Sequence, residues 1–151
     1  MLSIIEEVTQ RNLGRMVYYA KHPFLNLAVN LGSLAAGGLG GYSYAKNYGL
    51  DPYSGAAFGL VNGANLGEFG GEMLDRGIRN LEGDPYRGKR TTGDAIKDLA
   101  IGLGAGNSVT AAMRSNDLPF SGFGGYVGGE LAKALYHGMD EPEELTKSKK
   151  K

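Results

Sequence analysis

Gly55-Ala-Ala-Phe-Gly59-Leu-Val-Asn-Gly63-Ala-Asn-Leu-Gly67-Glu-Phe-Gly70-Gly71 sets a glycine at every fourth position from Gly55 to Gly71. Inside a water-exposed helix each glycine costs roughly 1 kcal/mol relative to alanine. A stripe of five therefore implies that another backbone packs directly onto it. The small-x-x-x-small pattern achieves such contact best in lipid, where helices have no hydrophobic drive to associate and depend on close van der Waals approach. Opposite the stripe, Asn62, Asn65, Glu68 and Glu72 fall at spacings of three, three and four, in one polar sector. The helix that carries both is expected to be the one against which the others pack. Asp51 is placed to cap it, with Pro52 at its first position and Gly83-Asp84-Pro85 as its stop.

Similar segments lie on both sides. Phe24 to Lys46 is apolar most of the way round and carries two small-residue ladders, Ala28-Gly32-Ala36-Gly40 and Ser33-Gly37-Gly41. Beyond the polar connection from Glu82 to Thr92, Thr91 and Asp94 form a capping box that opens a third helix, in which Gly102 and Gly106 stand four apart. Arg114-Ser115-Asn116-Asp117 ends it. A fourth segment from Pro119 to Met139 carries Gly124-Gly128-Ala132 and Gly125-Gly129, with Glu130 and Lys133 at pairing distance. Before all of these, Leu2, Ile5, Val8, Leu13, Met16, Val17 and Ala20 suggest an amphipathic helix.

The expected architecture is all-α. An amphipathic N-terminal helix over 1–22 precedes a membrane domain of four short glycine-zipper helices over 23–139, and a charged, disordered tail follows over 140–151. Helix packing is assigned to Gly55, Gly59, Gly63, Gly67, Gly71, Gly102, Gly106, Gly124 and Gly128.

Composition excludes several function classes. Glycine supplies 26 of 151 residues, more than double the usual ~7%. Sixteen basic and sixteen acidic side chains cancel, and no arginine-aromatic interleaving is present, so nucleic acid is not an expected partner. Without cysteine there is no thiolate chemistry or cysteine-bound zinc, and His22 and His137 lack a ligand-like spacing; no metal is expected. Gly102-Leu-Gly104-Ala-Gly106 is not a dinucleotide loop, because Asn107 stands where the third glycine belongs. Ser108 has no nucleophile elbow around it. Neither an enzyme nor a cofactor is expected.

Charge placement supports insertion. If four helices cross, Arg11, Arg15 and Lys21, then Arg76, Arg79, Arg87, Lys89, Arg90 and Lys97, then the lysines of the tail all fall on one side. The other side holds Lys46 and Arg114, which places both termini on the positive-inside face. Mean hydropathy is slightly below zero, which leaves a soluble helical interaction bundle as a competitor.

Arg90-x-x-x-Asp94, then six residues, then Ile101-Gly102-x-x-x-Gly106 is similar to the signature of the preprotein and amino-acid transporter family, which includes channel subunits of the mitochondrial inner-membrane translocases. Ala111-Ala112-Met113-Arg114-Ser115 and the glycine-rich run from Gly122 to Gly129 extend the resemblance. Ile101 stands where the signature has a small residue. The resemblance implies a translocase subunit of the mitochondrial inner membrane in which tilted helices form a polar concavity. Asn62, Asn65, Glu68 and Glu72 are its nearest counterpart here. The alternative is a structural glycine-zipper scaffold of an organelle membrane or a membrane-containing virion. Either would have lipids and other membrane subunits, or further copies of itself, as partners.

Overall fold

A computed structural model describes residues 21–87 and 90–140, with side chains to His137. The amphipathic helix expected over 1–22 and the tail expected over 140–151 lie almost wholly outside them. The described residues form four α-helices and no strand: α1 Pro23–Asn47, α2 Pro52–Leu81, α3 Thr92–Ser115 and α4 Ser121–Asp140.

Local chemistry sets the boundaries. Asp51 accepts from the backbone N–H groups of Tyr53 and Ser54, both at 3.1 Å, with Pro52 at the first helical position. Thr91 and Asp94 form the reciprocal capping box at the start of α3. α1 closes through Gly49, at φ +69°, with the Leu50 N–H returning to the Ala45 carbonyl at 2.8 Å. Gly83 takes a similar conformation after α2, as a left-handed C-terminal residue requires. The two short connections enter the following helix on related tetrapeptides, Pro52-Tyr53-Ser54-Gly55 and Pro119-Phe120-Ser121-Gly122. The second has a bulky residue in the left-handed region, Phe120 at φ 57°.

The helices pack as two antiparallel hairpins joined through α2. α1 touches α2 alone, whereas α2 also meets α3 and α4. Along α1–α2 the partners run in opposite order: Gly41 against Gly55, Gly37 against Gly59, Ser33 against Gly63 and Asn26 against Gly71. A Cβ added at Gly37, Gly41, Gly55, Gly59 or Gly63 would strike a facing backbone carbonyl. Of the two ladders on α1, Ser33-Gly37-Gly41 meets α2; Gly32 and Gly40 of the other have no atom of another element near them.

In α3–α4 the close contact is made by Gly102 and Gly106 against Gly129 and Gly125. Gly124 and Gly128, the packing pair expected from the sequence, are displaced from that line. They lie under the side chains of Met113 and Val109. One residue of helix rotates a position by about 100°, so neighbouring ladders serve different faces.

Burial is inverted. The buried apolar side chains are small: Ala45, Ala57, Val61, Ala64 and Ala95. Buried beside them are Asn26, Asn65, Asp75, Asp98, Thr110, Ser121, Glu130 and Lys133. Phe24, Leu27, Leu31, Leu39, Phe120, Phe123 and Leu135 point outward, Phe24 being 86% exposed. Of the four expected spans, α1 is the one long and apolar enough to cross a bilayer by length and composition. α2, α3 and α4 have 30, 24 and 20 residues, enough for a ~30 Å core. Their charged residues and glycines lower their apolarity.

Candidate functional site

The polar sector of α2 does not form an open face. It turns inward onto α3 and α4 and is partnered along much of its length. Asn107 Nδ2 donates to Asn62 Oδ1 at 2.8 Å. One turn on, Asn65 is 1% exposed; its amide donates to the Val61 carbonyl at 2.9 Å. Its Oδ1 has no donor among the described residues and lies against Gly102.

Glu68 is bound from α4. Lys133 Nζ lies 2.7 Å from Glu68 Oε2 and 2.6 Å from Glu130 Oε1, and the Tyr126 hydroxyl donates to Glu68 Oε1 at 2.9 Å. The Lys133 and Glu130 side chains are each 7% exposed. The i, i+3 pair expected on α4 is thus one side of a three-residue cluster.

Glu72 belongs to a second cluster near the charged end of the bundle. Arg90 donates to it through Nε and Nη2, each with a 2.9 Å contact, and Arg76 approaches it at 2.6 Å. Such a two-nitrogen grip fits the planar guanidinium better than a lysine. Arg90 Nη1 also donates to Asp98 Oδ2 at 2.6 Å, and Asp98 Oδ1 meets His137 Nε2 at 2.5 Å. Burial pulls the Arg90 guanidinium down, but Glu72 and Asp98 outweigh it and push it above its ordinary range. Arg90 therefore pairs with Glu72 and Asp98, while Asp94, its companion in the family-like motif, caps α3.

Both ends of this seam are tied. Asp75 accepts the His22 N–H at 3.0 Å, and the guanidinium groups of Arg76 and Arg79 sit over the Tyr86 ring at 4.6 and 5.5 Å. Lys21 bridges Glu82 and Asp84 at 2.7 and 3.2 Å. The hydrogen bond to Glu82 is the first cause raising the ammonium, and Lys21 in turn lowers both carboxyls. At the opposite end Arg114 reaches Asp51 Oδ2 at 2.6 Å and Ser54 Oγ at 2.9 Å.

Sequence reasoning missed Asp98, Asn107, Tyr126 and His137 as seam residues. A signal existed for Asp98 and Thr110, which extend the Gly102-Gly106 ladder by one step at each end and share its buried stripe. Lys133 likewise continues Gly125-Gly129. Among the described residues no group of three or more His, Cys, Asp or Glu could hold a metal. The arrangement pairs buried charges across helices. No family model, curated protein or solved structure matches the chain.

Gly102 offers a direct test of the packing. A Cβ there would meet Asn65 Oδ1 and Lys133 Cε. Gly102→Ala is expected to destabilise the chain, and Asn65→Ala in the same chain to restore much of the loss. Contacting residues couple by roughly 0.5–3 kcal/mol. Thermal unfolding of the two single variants and the double variant measures that coupling; simple additivity would show that the two residues do not collide.

Proposed function

We propose that the chain is a non-enzymatic integral membrane protein, a four-helix unit that acts as a structural subunit of an oligomeric membrane assembly. The observation carrying this reading is the inverted burial, with glycines, amides and ion pairs inside and Phe24, Leu27, Leu31 and Leu39 outside. Water rewards the opposite distribution, whereas hydrocarbon tolerates outward leucine and phenylalanine and penalises unpaired charge. The length of α1 and the concentration of Arg76, Arg79, Arg87 and Arg90 near one end of the bundle support the same reading. In this reading both termini lie on the basic side, and the partners are lipid, other membrane subunits and copies of the chain itself.

Alkaline carbonate extraction of membranes containing the tagged full chain tests insertion. The chain is expected in the pellet. Release into the supernatant would overturn the reading in favour of a soluble or peripheral helical bundle, whose outward apolar groups would need a protein partner.

A second reading, a translocase subunit of the mitochondrial inner membrane, draws on the residues behind the family resemblance. Arg90, Gly102 and Gly106 are among the residues that hold α3 to its neighbours. Glu68 and Glu72 would then line a polypeptide path when the seam opens. Replacing both with glutamine would impair polypeptide passage in that reading while leaving membrane insertion intact, and unchanged passage would count against it.

A further inference from the structure

We infer that the end of the bundle carrying the two short turns is a lipid-binding surface, with its aromatic rings seated where headgroups meet acyl chains in the leaflet opposite the basic end. The α1–α2 and α3–α4 turns are brought to one place by Arg114, which reaches Asp51 and Ser54. Around them Tyr44, Tyr48, Leu50, Tyr53, Leu118 and Phe120 point outward. Phe120 is the most constrained of these. It is 82% exposed, and its φ of 57° holds a bulky residue in the left-handed region, where side chains of its kind are rare. A ring with so little packing inside the bundle does not offset that backbone strain, whereas a contact outside the bundle does. Tyr53 occupies the matching place in the other Pro-aromatic-Ser-Gly turn and is 73% exposed.

Three features point to lipid as the occupant. The first is side-chain chemistry. Tyrosine presents an apolar ring and a polar hydroxyl, a combination that suits the boundary between water and hydrocarbon. Tyr44 and Tyr48 lie side by side there, their ring centroids 4.6 Å apart. The second is charge. The turn end carries Lys46, Asp51, Arg114 and Asp117, whose signs cancel, and Arg114 pairs with Asp51. It has no net field with which to select a charged protein surface. The third is distance. At roughly 1.5 Å per residue, α1 rises about 30 Å from Phe24 to Tyr44, and α2 rises about 29 Å from Tyr53 to Glu72. Phe24 and Glu72 belong to the basic end, so the aromatic turns stand about one hydrocarbon thickness, ~30 Å, from it. A protein partner would impose no such length.

This surface rests on the membrane reading, and depth-dependent fluorescence quenching separates the two. The chain contains no tryptophan, so Phe120→Trp, Tyr53→Trp and Leu31→Trp each introduce a single reporter. Leu31 is exposed on α1 between the two ends. Each full-length variant is reconstituted in phosphatidylcholine vesicles whose acyl chains carry bromine either near the headgroup or near the bilayer centre. Phe120→Trp and Tyr53→Trp should lose more fluorescence to the shallow bromine than to the deep one, and Leu31→Trp should show the reverse order. Quenching of Leu31→Trp without quenching of the two turn variants would overturn the proposal and leave insertion standing. Stronger quenching of the turn variants by the deep bromine would overturn it as well, by placing the turns in hydrocarbon. Shallow quenching of the turn variants with none of Leu31→Trp would uphold the lipid surface and remove the spanning reading. Absence of quenching in all three would remove both.

Discussion

Gly59→Leu is expected to separate α1 from α2. The added side chain would begin where the Gly37 carbonyl and the Gly41 Cα now lie, and backbone cannot move aside as the end of a flexible side chain can. Ordinary overpacking of a core costs about 1–3 kcal/mol; here the obstruction falls at the middle of the only interface α1 has among the described helices. Leucine is also a far better helix former than glycine, so α2 itself should remain helical. Gly40→Leu provides the control, since nothing lies within 4 Å of that position. With cysteines at Tyr42 and Tyr53, whose rings stand 6.3 Å apart across the hairpin, bismaleimide cross-linking should fail in Gly59→Leu and persist in Gly40→Leu. Equal cross-linking in both would mean that α1 is not held through its glycine backbone.

Lys133→Met should have the second large effect. It keeps much of the apolar volume and removes the ammonium held between Glu68 and Glu130. Breaking a buried ion pair by deleting one partner typically costs about 3–5 kcal/mol, because the other charge is left uncompensated. The deficit should depend on pH in a defined direction. At high pH both carboxylates are charged and repel each other; as pH falls they take up protons, and the variant recovers stability relative to the parent. Thermal unfolding across a pH series reads this out, and a deficit independent of pH would show that packing rather than charge is lost.

Backbone-level features were legible in the sequence to different depths. The caps at Asp51 and Thr91 could be read because an N-cap depends on a few adjacent residues. The unbroken glycine stripe accounted for one contact of α2, that with α1, since only close contact explains so many glycines in one helix; α3 and α4 meet α2 through other positions, among them Ala57, Val61 and Asn65. The polar sector opposite was recognised as a unit, but its direction was not. Asn62, Asn65, Glu68 and Glu72 could equally have faced an open concavity, headgroups or another subunit. Their burial is decided by Asn107, Lys133, Tyr126 and Arg90, the first three of which lie 45 to 65 residues away in the chain. The choice between the Gly124-Gly128 and Gly125-Gly129 ladders on α4 was open for a related reason. Both have the same period, and tertiary contact with α3 selects one.

The separation between Glu68 and Lys133, 65 residues, has a consequence during synthesis. The α1–α2 hairpin is built from contacts across a tight connection and can close as soon as α2 is complete, by the loop-closure logic that favours local pairing. At that moment Glu72 already has Arg76 one turn along α2, whereas Glu68 awaits a lysine on a helix not yet made. The nascent hairpin must therefore carry Glu68 through synthesis in neutral form, in a hydrated interface, or beside a temporary companion, until the second hairpin arrives. Completion of the chain is thus also its electrostatic checkpoint, since half of the protein cannot satisfy the charges it contains.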